Sequence, residues 1–359
     1  MPHIMGRLSA HTRAVMSVLP SGMARGHNGN PAACLRLERL YGCPVLLSGI
    51  SSLVLTKAEF SVLHNHYKKN LEKIMKLHQS SPESVVMFLA GSLPLTALIH
   101  LRMLGLLNMI AHLGPRNILY QHGIRILLSP KPVKSWFTSV RTICQQYALT
   151  DPLLVLQSPI SKHSWKSLTK SKVIDLCETK LRSQVDFLPS LNYFKPAFMS
   201  LTSPHPMWAC ARSPFEVRKA VIVARMLSGR YRTDRLTRHW SKSNPFGFCL
   251  LPGCSGQSEG SLEHILLECP ALQEARTGVI KLWSDFMLPR RHLFPVIAGL
   301  TSHEASHMQL LLDPSCIPEV IAANKLSSDV LPCCFYLART WIYSIHVRRT
   351  KLMKVHNLT

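Results

Sequence analysis

Three cysteines and one histidine carry the clearest chemistry in this chain. Cys249, Cys254, His264 and Cys269 form the pattern Cys-x4-Cys-x9-His-x4-Cys within 21 residues. Three thiolates and one imidazole are the donor set of a closed tetrahedral Zn2+ site of the structural kind. Pro252-Gly253 is placed to turn the chain so that both early thiolates reach one ion. Residues 255–261 read as a polar, glycine-containing loop that crosses back, and Ser261 is predicted to cap a short helix carrying His264. His264 and Cys269 lie five positions apart. That is about 500° of α-helical rotation, so the helix is expected to loosen near Cys269, before Pro270. The chain has 11 cysteines, and free cysteine is often simply buried. A lone cysteine pair would therefore mean little; the complete donor set with turn residues between its members points to metal. Every coordination position is taken by a protein ligand. The zinc is therefore read as a structural cofactor, and no catalytic residue is assigned.

Just upstream lies the densest basic stretch. From Arg212 to Lys242 there are nine Lys and Arg, opposed by Glu216 and Asp234. Cations contact phosphates, and flat rings stack on unpaired bases. The expected nucleic-acid contacts are Arg225, Arg230, Tyr231, Arg232, Arg235, Arg238 and Lys242, with RNA or single-stranded DNA as the partner. The bland alternative is a solvated helix face with the aromatic residues in the core. The whole chain shares the bias: 42 Lys and Arg against 19 Asp and Glu give a formal charge of +23. Such an excess favours a polyanionic partner.

With 359 residues and 47% hydrophobic content, the chain can bury a core, and disorder throughout is excluded. The odd cysteine count and the absence of an apolar leader around His3, Arg7, His11 and Arg13 argue against a secreted disulfide scaffold. Arg7, Arg13, Arg25 and Arg36 precede the first acid, Glu38, as in a mitochondrial transit peptide, but any piece of so basic a chain looks similar. The stretch from Val85 to Ile110 is apolar, yet Ser92, Pro94, Thr96, His100 and Arg102 interrupt it. Its longest uncharged piece falls short of the roughly 18 residues a span needs, so no membrane contact is expected. Nor is a small-molecule substrate.

The elements that must carry these residues read as mainly α. Thr56-Lys57-Ala58-Glu59 is a capping box, followed at helical spacing by Phe60, Leu63, Tyr67, Leu71 and Ile74. Gly91-Ser92-Leu93-Pro94 is a break. The next helix, to about His112, is apolar nearly all round and is expected to be central. Further helices are predicted over Val133–Leu149, Trp165–Val185 and Pro214–Leu227. Four prolines mark Leu188–Pro206 as an irregular connector. Leu337, Ala338, Trp341, Ile342 and Ile345 line a last helix that runs into Arg348, Arg349, Lys351 and Lys354. Other chemistry-bearing residues lack a constellation. Cys210 with His205, and the pair Cys333-Cys334, read as packing; His64 and His66 read as solvated helix residues.

Several segments also resemble a known family. They are Val45 to Leu55 (VLLSGISSLVL), His64 to Leu71 (HNHYKKNL), Phe88 to Pro94 (FLAGSLP), Leu227 to Arg232 (LSGRYR), Glu263 to Pro270 (EHILLECP) and Leu311 to Ser315 (LLDPS). In this order they resemble the part of LINE-type non-LTR retrotransposon reverse transcriptases that follows the palm. The resemblance covers roughly residues 15–359. It implies a helical thumb-like region followed by a basic helical linker and a small CCHC zinc knuckle that helps hold the element's RNA or target DNA. The segments are then 1–44, partly irregular; 45–187, thumb-like; 188–211, connector; 212–288, basic helix and knuckle; and 289–359, helical tail.

The family's polymerase site needs paired aspartates to hold two Mg2+, and this chain has no Asp-Asp pair. Asp313 and Asp329 lack the setting of the endonuclease that follows the knuckle in some relatives; Asp313-Pro314 reads as a turn. The expectation is therefore a non-catalytic nucleic-acid-binding chain, the downstream remnant of such an element, placed in the nucleus with the cytoplasm as alternative. Its rivals are a protein-interaction or structural relic and a residual nuclease.

Overall fold

The computed structural model describes residues 2–18, 29–130, 134–237, 244–254, 256–287 and 304–356. Among these the chain is mainly helical and has no strand; extended backbone pairs only at an isolated bridge between Phe248 and Glu259. The opening segment, expected to be partly irregular, carries helices among its described residues. Helix α1 (Pro2–Val18) and helix α2 (Pro31–Leu37) both form, and α2 continues through a π turn at Glu38–Gly42 into α3 (Cys43–Leu47). Long-range contacts hold α1 in place. His11 is buried and bonds Glu38 Oε1 and His66 Nε2, each at 2.9 Å. His66 is thus part of an internal chain of polar groups, not a freely solvated helix residue.

Helix α4 (Lys57–Met75) starts at the expected capping box: Thr56 Oγ1 accepts from Glu59 N–H, and Glu59 Oε2 accepts from Thr56 N–H. Helix α5 (Glu83–Ala90) is buried from Ser84 onward and stops at Gly91. Gly91 has φ +59°, and the N–H groups of Gly91 and Ser92 return to the carbonyls of Phe88 and Met87. This is a Schellman end, which glycine adopts without strain. A second constraint acts on the same residue, because a Cβ there would lie 1.9 Å from the Ser203 backbone. The two halves of the chain meet at this point.

Helix α6 (Leu95–Leu113) is the hub of the first half. Helices α4, α7 (Ile118–Leu128), α8 (Trp136–Gln146), α9 (Pro152–Gln157) and α10 (Lys162–Asp186) all pack on it. Among the described residues α6 alone is long and apolar enough to cross a membrane; 50% of that apolar window is buried inside the fold. The buried Trp165 of α10 donates its indole N–H to Leu104 O at 2.8 Å, tying α10 to the hub. As the prolines suggested, the chain from Leu188 to Pro206 is irregular, with 3-10 turns at Pro189–Leu191 and Pro196–Phe198.

The second half opens with the short α11 (Pro206–Ala209) and α12 (Pro214–Leu227). The latter has the predicted bounds, with Ser213 as cap and Pro214 in the first turn. It is followed by α13 (Asp234–Thr237), α14 (Gln273–Met287), α15 (Glu304–Leu312), α16 (Pro318–Leu326) and α17 (Val330–Val355). Helix α17 is the second hub, contacted by α12, α14, α15 and α16. Its Arg339 is buried and spans to the carbonyls of Met207 and Cys210 and to Glu216. One hydrophobic core runs from Ile4 to Ile345 and takes members from every segment expected from the sequence.

Asp313 sits at the seam between the halves. It is fully buried, starts the 3-10 turn Pro314–Cys316, and pairs with His205 Nε2 at 3.1 Å. Cys316 Sγ, at 2.7 Å, and Ser315 Oγ also donate to it. Burial alone would push this carboxyl up; His205, Cys316 and Ser315 more than offset that and hold it below its ordinary value. A depressed folded-state value means that the ionised carboxylate contributes stability above the ordinary carboxylate range. That contribution is lost as pH falls through the depressed value. Asp313→Asn should therefore lower stability at neutral pH by about 3 kcal/mol, as expected for breaking a buried pair. In chemical denaturation across a pH series, the gap to wild type should narrow toward acid.

Candidate metal centre and the basic surface beside it

Each half of the donor set is built locally. Cys254 N–H bonds Leu251 O at 3.1 Å across Pro252-Gly253, and Gly253 has φ +88°. Proline second and a positive-φ glycine third is the pattern of a type II turn, and it brings Cys254 back toward Cys249. The bridge between Phe248 and Glu259 is extended by bonds from Cys249 N–H to Ser258 O and from Gly260 N–H to Gly247 O. Ser261 then caps the next turn, its Oγ accepting from His264 N–H at 3.1 Å.

The loosening expected before Cys269 takes the form of a π turn over His264–Glu268. Cys269 N–H bonds His264 O at 2.7 Å, five residues back. An i→i+5 turn is wider than an α turn, so a residue five positions on returns toward the same face. The turn is seated on α17, where Trp341 donates its indole N–H to Leu266 O at 3.1 Å.

The result is a compact cluster. The ligand atoms of Cys249, Cys254, His264 and Cys269 lie within 4.8 Å of one another. Cys249 Sγ is 3.9 Å from Cys269 Sγ, and Cys254 Sγ is 3.4 Å from His264 Nε2. Bond lengths of about 2.3 Å to sulfur and 2.0–2.1 Å to nitrogen around a tetrahedral ion imply donor separations of roughly 3.5–3.8 Å. The group can therefore hold a metal ion. Cys249, His264 and Cys269 are buried and Cys254 is half-buried, so little room is left for a solvent ligand.

Two neighbours absent from the sequence reading complete the surroundings. His264 turns Nε2 to the cluster, and its Nδ1 lies 3.5 Å from Glu268 Oε2, an exposed carboxylate, without a hydrogen bond between them. Arg276 is buried and donates through Nη2 to Cys269 O. Three thiolates on a divalent ion leave one negative charge, and Arg276 supplies a cation next to it. The hydrogen bond between the Cys249 and Cys269 sulfurs, and then burial, push Cys249 up; the same bond holds Cys269 below its ordinary value.

The predicted nucleic-acid contacts divide. Arg225, Arg230, Arg232 and Arg235 are exposed. Arg225 Nε bonds Lys76 O at 3.0 Å, and Arg235 forms a surface pair with Glu259 at 3.1 Å. Tyr231 does not offer its ring to solvent: it is 9% exposed, its hydroxyl bonds His346 Nδ1, and the Arg349 guanidinium lies 5.7 Å from its centroid. The cause is the end of α12. Gly229 has φ +63°, and the N–H groups of Gly229 and Arg230 return to Met226 and Arg225 carbonyls, another Schellman end. Beyond that cap Arg230 and Arg232 are exposed, while Tyr231 between them is buried. Arg238 and Lys242 lie outside the described residues.

The basic run and the metal segment are one packed unit. Arg235 N–H bonds Gly260 O at 3.2 Å, and a Cβ on Gly247 would lie 2.9 Å from Arg235 Cα. Two exposed rings of this unit, Phe246 and Phe248, drew no attention in the sequence; the only signal was phenylalanine on both sides of a glycine.

Comparisons with models of known protein families, with curated proteins and with solved structures find no match.

Elemental analysis of purified protein should find one metal ion per chain. Cys254→Ser and Cys269→Ser should each reduce that content sharply, and the ion should be released on acidification, because thiolate ligands compete with protons. A metal content well below one per chain in the wild type would exclude the centre.

Proposed function

We propose that this chain is a non-catalytic binder of single-stranded nucleic acid, organised by a structural Zn2+ and derived from a retrotransposon reverse transcriptase. The observation that carries the reading is the packing of a complete Cys3His donor set against α13 of the basic run. Zn2+ suits this set because soft thiolates with imidazole in a closed tetrahedron favour it over harder ions. Cys249, Cys254, His264 and Cys269 would hold the ion, and its chemistry is to fold the segment rather than to activate water. Exposed Arg225, Arg230, Arg232 and Arg235 then face solvent beside a fixed loop, in a chain of formal charge +23. The likeness of several segments to the thumb-and-knuckle region of LINE-type reverse transcriptases supports the same partner class and a nuclear location, where chromosomal DNA is reached.

The absence of an Asp-Asp pair argues against polymerase chemistry. Asp313, the carboxylate of the family-like tail segment, is buried and committed to His205. Primer extension by the zinc-loaded chain with Mg2+ should stay at background.

Binding of RNA or single-stranded DNA should weaken linearly in log affinity against log salt, by about 0.7 per phosphate contact. Arg230→Ala with Arg232→Ala should flatten that slope by about 1.4 at most. Gel-shift titrations at several salt concentrations read both. No binding to either strand at roughly 50 mM salt would reject nucleic acid as the partner and favour a protein-interaction or structural role.

A further inference from the structure

We infer that Phe246 and Phe248 form a base-stacking platform for a single nucleic-acid strand on the metal segment. The inference deepens the binding reading and rests on it. Phe246 is 69% exposed and Phe248 36% exposed. Their rings stack on each other at 5.6 Å between centroids with 28° between planes, forming one exposed aromatic pair that a base can extend.

The presentation is built. Asn244 braces the turn through both side-chain atoms, Nδ2 donating to Phe248 O at 2.7 Å and Oδ1 accepting from Phe248 N–H at 3.0 Å. Gly247 closes the same turn, its N–H bonding Asn244 O at 3.2 Å. With φ +71° and Arg235 Cα 2.9 Å from where a Cβ would lie, Gly247 packs its backbone on α13. Phe246 and Phe248 flank that contact and are left facing solvent. A hydrophobic residue held out by such a brace is not a failure of packing.

Charge selects the occupant. Arg235, on the helix under the turn, is paired with Glu259 in an exposed bridge. Exposed pairs contribute little to stability, and the guanidinium can exchange its carboxylate for a phosphate. The chain's formal charge of +23 attracts a polyanion. Duplex DNA keeps its bases stacked inside the helix, whereas an unpaired strand can lay them on exposed rings with little regard to sequence. RNA and DNA single strands share this chemistry.

The test uses the full zinc-loaded chain with oligouridylate, oligodeoxythymidylate and a DNA duplex as probes. Phe246→Ala with Phe248→Ala should weaken single-strand binding by roughly 5-fold or more, the low end of the stacking range. The salt slope should be unchanged, because no phosphate contact is lost, and duplex binding should not move. Phe246→Trp should keep the affinity and add indole fluorescence that is quenched at saturating oligonucleotide. A loss confined to RNA or to DNA assigns the strand and still supports the platform. A double variant that binds single strands as wild type does overturns the platform and leaves the binding reading intact. Wild type that binds no single strand overturns both. Should the double variant lose zinc or melt early, the more exposed ring decides: unaltered binding by Phe246→Ala, or an unquenched Phe246→Trp, overturns the inference.

Discussion

The carbonyl of Leu89 joins the two halves of this molecule. It belongs to the last turn of α5, where helix geometry leaves carbonyls without partners. It accepts the His205 N–H at 3.1 Å and the Trp208 indole N–H at 3.0 Å. Both donors come from the other half, and both side chains are buried. An unpaired acceptor at that depth would be expensive, so the end of α5 and the start of α11 require each other. Gly91 makes the approach possible by having no side chain to keep Ser203 away.

From that joint the organisation of the second half follows. Helix α11 has a single turn, yet it is held from four directions: Leu89, the Asn30 side chain on Trp208 O, Arg339 on Met207 O, and Asp313 on His205. A short helix so fixed sets where α12 begins. The Schellman end of α12 then decides which residues of the Arg-rich turn face water. Helix α17 lies across this assembly and receives the metal segment through Trp341. The chain of dependence thus runs from a helix-terminal carbonyl, through packing, to the surface on which arginines and aromatic rings stand.

Much of this was legible in the residues. Capping chemistry at Thr56 and Ser261 marks where turns of helix start, because hydroxyls satisfy orphan N–H groups. The metal donors announce themselves because few other arrangements need three cysteines and a histidine with turns between them. The misreadings share a physical origin. Its place among arginines suggests a surface ring for Tyr231, but the cap two residues earlier and His346, far along the chain, hold it inside. Helix α1 has no such local signal, because tertiary partners hold it, through His11, Glu38 and His66. Phe246 and Phe248 look like core residues by type. Only the contact of Gly247 with Arg235 shows why they are not.

The π turn between His264 and Cys269 bears on how this module can vary in evolution. A wide turn is tied to a spacing of five: its i→i+5 bond brings Cys269 back to the face of His264, and an inserted residue would misplace the ligand. Length is therefore constrained there by backbone hydrogen bonding, independently of which side chains fill positions 265–268. Around Gly256 no such bond acts: at φ +68° it would carry a Cβ that meets nothing within 4 Å. Insertions and deletions among descendants of this sequence should accumulate in that loop, leaving the stretch from His264 to Cys269 as a ruler of invariant length.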